Sequence, residues 1–120
     1  MPDYGLSRNY ELTPANIDIA VTRVSAGVYG LGRSLNADRS IPIRYVGRAD
    51  EDVKDRLQKH ASEQKYRYFA FAYFPSAYLA YRTECELYHQ LGGPGGHLDN
   101  RVHPAAPAGS NLSCPMRCGS

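Results

Sequence analysis

Apolar and polar positions change their period several times along this chain, and each change marks an element. Ile17, Ile19 and Val21 alternate with polar residues, so residues 1 to about 20 read as a short strand or a leading extension. Residues 26–31 form an apolar run set among glycines, and 32–40 are polar and turn-rich. Residues 41–46 are apolar again apart from Arg44, which predicts an antiparallel hairpin with a long loop. Pro42 restricts the start of that second strand to an edge or to its first residues. After Gly47 the period lengthens. Asp50 is a candidate cap, Glu51 and Asp52 suit a first helical turn, and Val53, Leu57 and Ala61 recur at four-residue steps, predicting a helix over 50–63.

The next stretch, 66–74, is apolar or aromatic on both alternating faces, with Tyr68, Ala70, Ala72 and Phe74 opposite Phe69, Phe71 and Tyr73. That pattern predicts a strand covered on each side. Pro75 ends it, and Ser76 caps a helix running to Leu91, before a Gly-rich stop at 92–96. The apolar stripe of that helix is Ala77, Ala80, Tyr81, Leu87, Tyr88 and Leu91, with Glu84 in its middle. An inward carboxylate is costly unless a cation or metal compensates it. An ion pair with Arg56 would account for it structurally; a bound metal would account for it functionally.

At 120 residues the chain fits one domain. A net charge of +2 gives no overall field for nucleic acid, yet Arg33, Arg39, Arg44, Arg48, Lys54, Arg56 and Lys59 crowd one stretch. Arginine suits planar phosphate contacts, although Asp50, Glu51, Asp52 and Asp55 could equally make this a balanced solvated face. Arg56 and His60 are four apart beside the apolar line of the first long helix. No run is long enough to span a membrane. Met1-Pro2-Asp3-Tyr4-Gly5 does not read as a signal peptide, and three cysteines without one make a reducing cytoplasm the expectation.

Five features stand in order: Gly27-Val28-Tyr29, Tyr45-Val46-Gly47, Arg56 with His60, Glu84, and Asn100 followed by Pro104. Over about residues 24–104 this series resembles a GIY-YIG nuclease domain. No triplet is specific alone; the resemblance lies in the order and in the element that carries each motif. The gap between the two tyrosines is longer than is usual for the family, which makes the 32–40 loop an insertion. The spacing from Tyr45 to Arg56 is also slightly long.

The resemblance implies an α/β (α+β) fold, a three-stranded, mainly antiparallel sheet flanked by helices. Residues 1–23 would be an N-terminal extension, 24–106 the nuclease domain and 107–120 a flexible or Cys-containing tail. It implies a divalent-metal-dependent endonuclease that cuts DNA to leave 3′-hydroxyl and 5′-phosphate ends. Glu84 would hold one Mg2+ or Mn2+, whose hard-oxygen preference suits a carboxylate, phosphate and water. Arg56 would bind the scissile phosphate, and Tyr29 would be the general base or water-orienting group. A phenol ordinarily titrates near ~10, so this role needs Arg56 or Arg48 to favour phenolate. Tyr45 would hydrogen-bond into the site and His60 would orient water or a phosphate oxygen. Arg48 would be a further substrate contact, and Asn100 would fix the last loop against the site. Lacking a separate targeting domain, the chain would cut single- or double-stranded DNA with weak sequence preference, by DNA structure or single-strandedness, or with a homodimer mate or targeting partner.

Three other readings compete. Residues 67–74 approach the aromatic strand of an RNA-recognition motif, whose exposed rings stack on bases, but Tyr68 stands where glycine is expected. A catalytically dead interaction domain is disfavoured because every catalytic residue type is present. Cys114 and Cys118 supply half of a structural Zn2+ set that Cys85, His89, His97 or His103 would have to complete; with one close pair it is the less favoured reading.

Overall fold

Glycine placement and face alternation in residues 26–32 explain how the sheet is layered. In the computed structural model, which describes residues 6–7, 9–92, 98–100 and 104–107, β2 (Ala26–Gly32) is buried along its whole length. It pairs antiparallel with β3 (Tyr45–Ala49) on one side and with β4 (Tyr68–Phe74) on the other. A two-residue strand, β1 (Tyr10–Glu11), pairs antiparallel with the far side of β4. The sheet order is β1-β4-β2-β3. The expected three strands are therefore four, and all neighbours are antiparallel. Two residues are too few to show an alternating pattern, so β1 left no periodic signal.

The alternation at Ile17, Ile19 and Val21 does not make a strand. Those residues belong to α1 (Pro14–Ala20) and its C-cap, Val21. Thr13 accepts a hydrogen bond from the Asn16 amide at 3.1 Å, and Pro14 takes the first helical position, where its missing N–H costs nothing. Ile17 and Val21, four apart, are fully buried, whereas Ile19 is 75% exposed. The helical period wins over the apparent alternation. Residues 9–23 thus contribute an edge strand and core side chains to the domain.

The second hairpin strand begins later than its apolar run suggested. Ile41 and Ile43 lie before β3 and fill the space over Gly32 and Gly30, where a Cβ would meet their side chains. Helix α2 spans Val53–Glu63 and is capped by Asp52, whose carboxylate accepts from the Lys54 and Asp55 amides at 3.1 and 3.4 Å. Asp50 is not the cap. Helix α3 (Ala77–Gln90) starts where expected, with Ser76 accepting from the Leu79 amide at 3.2 Å.

One face of the sheet presents Tyr29, Leu31, Phe69 and Phe71 to a core completed by Ile17, Val53 and Leu57 of α1 and α2. The opposite face presents Val28, Val46 and Ala70 to Ala80 and Leu87 of α3. The rings of Phe69 and Phe71 are core, at 0% and 6% exposure. A base cannot stack on these two rings, while Tyr68, Tyr73 and Phe74 of the same strand are half-buried. Among the described residues, no helix is long and apolar enough to cross a membrane.

Candidate active site

Strand β3 is the sheet edge, and the site wraps around it. Tyr29 points to the α2 face of β2 and sits opposite Gly47 in the strand register. A Cβ at Gly47 would overlap the Tyr29 ring and hydroxyl. Only glycine there lets the phenol cross the edge strand. From the other face, Arg48 of β3 and Glu84 of α3 reach the same edge. Tyr29, Tyr45, Gly47, Arg48, Asp50, Arg56, Glu84 and Ala105 line one cavity of about 200 Å³.

Glu84 is 8% exposed, and burial raises its pKa to about 7; Arg48 opposes the rise and Asp50 adds to it. Its ion pair is with Arg48, whose Nη1 donates to Glu84 Oε1 at 3.0 Å, and not with Arg56. Arg48 Nε also donates to Asp50 Oδ1 at 2.6 Å and Nη1 to the Ala105 carbonyl at 2.6 Å, while the guanidinium lies 5.2 Å from the Tyr81 ring centroid. Arg48 is therefore a half-buried bridge between two carboxylates that also lines the cavity. Arg56 is the opposite case. It is exposed on the cavity rim and has no ion pair or hydrogen bond among the described residues.

His60 stands behind the tyrosines. Its Nε2 is 2.9 Å from the Tyr29 hydroxyl, and its ring centroid is 5.3 Å from that of Tyr29 and 5.2 Å from that of Tyr45. Nδ1 faces Glu63 at 3.5 Å, an electrostatic contact without hydrogen-bond alignment. Burial lowers the His60 pKa, with Glu63 partly opposing and Arg56 assisting. The neutral ring with its proton on Nδ1 leaves Nε2 to accept from Tyr29. Burial, reinforced by Tyr45, holds the Tyr29 phenol well above its ordinary range, and the Arg56 guanidinium only partly offsets this. Tyr45 is raised as well, first by burial and then by Glu84. In the metal-free site both shifts favour the protonated phenols, and Arg56 alone does not offset the burial.

Asn100 pins the edge. Its Oδ1 accepts from the Val46 amide at 2.9 Å and its Nδ2 donates to the Val46 carbonyl at 2.8 Å, so it extends the ladder as a strand neighbour would. Its amide is spent on β3 between Tyr45 and Gly47, a positioning role, and not on open substrate contact.

The structure thus brings Tyr29, Tyr45, Arg56 and Glu84 to one cavity, with His60 directly behind. Glu63 and Asp50 complete the charge pattern; the sequence offered Asp50 only as a cap or a balancing charge and did not mark Glu63. Glu63 lies three residues after His60 on α2, and Asp50 lies two after Arg48, spacings that put each on its partner's face. Those spacings were the available signal. Among the described residues, no group of three or more His, Cys, Asp and Glu side chains is arranged to hold a metal. A divalent ion here would take Glu84, with Asp50 the other carboxylate lining the cavity, and complete its shell with phosphate and water. Mg2+ commonly binds in this way, so the donor set fits such an ion. Cys114, Cys118, His97 and His103 lie outside the described residues, and Cys85 is fully buried in α3. No protein-family model, curated protein or solved structure matches the chain.

Proposed function

We infer that this protein is a divalent-metal-dependent endonuclease that hydrolyses DNA phosphodiester bonds, with the GIY-YIG type of active site. The observation that carries this reading is the convergence of the Tyr29 phenol, the Arg56 guanidinium, unpaired among the described residues, and the buried Glu84 carboxylate on one edge-strand cavity. A cation held by Glu84, Mg2+ or Mn2+, would supply charge stabilisation at the leaving 3′ oxygen.

The remaining work falls to side chains. Arg56 offers a free planar donor set to the scissile phosphate and offsets charge in the transition state. Tyr29 accepts a proton from the attacking water while its own proton passes to His60 Nε2, so no free phenolate needs to accumulate. Glu63 stabilises the imidazolium that forms. Arg48 holds Glu84 and Asp50 in place. Tyr45 closes the cavity beside His60, and Asn100 keeps β3 in register.

The test is incubation with single-stranded, duplex, flap and branched DNA, with and without Mg2+ or Mn2+, beside Glu84→Ala. Metal-dependent cleavage that the variant loses is the expected result. Failure to cut any substrate, or equal cutting by the variant, overturns the assignment.

A further inference from the structure

The candidate active cavity is the first of three neighbouring cavities that share lining residues. Tyr45 lines both that cavity and a neighbouring one of about 710 Å³, which also includes Arg33, Lys65, Tyr66 and Asp99. Arg33, Lys65 and Tyr66 in turn line a third cavity of about 430 Å³ that reaches Arg67. The topology creates this neighbourhood. Arg33 follows β2, Tyr45 opens β3, Tyr66 and Arg67 precede β4, and Lys65 follows α2, so all lie at one end of the sheet.

The middle cavity holds a built platform. The Arg33 guanidinium lies over the Tyr66 ring, 4.9 Å from its centroid, and Nη2 donates to Asp99 Oδ2 at 2.7 Å. The Tyr66 hydroxyl donates to the same carboxylate oxygen at 2.8 Å. These hydrogen bonds, with Arg33 and Arg44 nearby, hold the Asp99 carboxyl below its usual range. Half of the Arg33 side chain remains exposed, at 52%. The cation thus lies over the ring and is pinned by the carboxylate, in a side chain that stays half exposed. Tyr45 continues the aromatic line toward the cavity, its ring centroid 5.9 Å from that of Tyr66. The Asp99 charge is outnumbered by Arg33, Arg44 and Lys65 around it.

We propose that these cavities are the binding track for an unpaired DNA strand leading into the candidate active cavity, with a base stacked on the Arg33–Tyr66 platform. Guanidinium planes and aromatic rings both accept a base face, and basic side chains follow the backbone. A duplex keeps its base faces inside its own stack and cannot use such a platform. The substrate class is therefore single-stranded DNA, or the unpaired arm of a flap or branch. The inference rests on the nuclease reading only for where the strand leads.

Binding without divalent metal tests it independently of cleavage. Fluorescence anisotropy in EDTA, using the full chain, would compare a labelled single-stranded oligonucleotide with a hairpin duplex of equal charge. The expected result is tighter binding of the single strand, with Tyr66→Ala and Arg33→Ala each weakening it roughly tenfold and leaving duplex binding unchanged. Tyr66→Phe keeps the ring and should retain most of the affinity, which separates stacking from misfolding. Lys65→Ala should reduce the salt slope of single-strand binding by about 0.7. Equal affinity for the two DNAs, no binding of either, or an unchanged Arg33→Ala in a normally melting protein would overturn it. Metal-dependent cleavage with no single-strand preference would sink the track and leave the nuclease reading standing. Single-strand binding lost in Arg33→Ala, without cleavage, would do the reverse.

Discussion

Glu84 is held at 3.0 Å by Arg48, the residue beside Gly47, and not by Arg56 across the cavity. Its pKa is raised by burial from 4.5 to about 7 even with that partner. The folded state therefore binds more protons than the unfolded state between those values. Glu84's contribution to stability is fully present below about 4.5 and is lost as pH rises through about 7. In metal-free protein, Glu84→Gln should gain stability relative to wild type between pH 5 and pH 8, by an amount on the order of 3 kcal/mol at most. Thermal melts at both values check this. Added Mg2+ should raise the Tm of wild type at pH 8 and raise that of Glu84→Gln much less, because the variant keeps only Asp50 as a cavity carboxylate.

Gly47 makes the site possible by having no side chain. In Gly47→Ala the added Cβ meets the Tyr29 ring, so either the ring or β3 must shift. Overpacking of this kind costs about 1–3 kcal/mol. Cleavage should fall much further than stability, by roughly a hundredfold, since the displaced group is the proton acceptor. Denaturant melts and initial cleavage rates on the same preparation separate the two effects. Normal cleavage by Gly47→Ala would contradict the arrangement.

His60 receives the Tyr29 hydroxyl at Nε2 and faces Glu63 at Nδ1. Burial lowers its pKa, Glu63 raises it and Arg56 lowers it. Two-dimensional NMR of the imidazole should find wild-type His60 titrating below the usual ~6.5. Glu63→Gln should move that titration lower still, and Arg56→Ala should move it higher. A titration that ignored both changes would show that the ring does not sense these charges.

Much of this arrangement could be read from residue order. The four-residue steps of Val53, Leu57 and Ala61 and the Ser76 cap placed α2 and α3. The two apolar faces of residues 68–74 showed an interior strand, because burial on both sides leaves no polar alternation. What escaped were features set by tertiary contact. Tyr10 and Glu11 form a strand only because β4 has a free edge beside them. The Ile17 and Val21 pair fits both a strand and a helix, and the Thr13–Pro14 cap decides between them. The choice of Arg48 over Arg56 for Glu84 depends on which strand faces α3, which local periodicity does not encode.

Arg56 and Arg48 should respond to substitution in opposite ways. Arg56 lies on an exposed helix face, without an ion pair or hydrogen bond among the described residues. Arg56→Ala should change stability by no more than about 0.5 kcal/mol, as surface substitutions usually do. Its cleavage rate should nevertheless fall by roughly a hundredfold or more, because a phosphate donor is lost from the transition state. Arg56→Lys keeps the charge but loses the planar fork, and should recover only part of the rate. Arg48→Ala strands the carboxylates of Glu84 and Asp50 and should cost about 3 kcal/mol of stability before any catalytic effect is measured. Melting curves and single-turnover cleavage of the three variants give the comparison. If Arg56→Ala cuts as fast as wild type, the free guanidinium is a solvated surface charge and the phosphate must be held by another group.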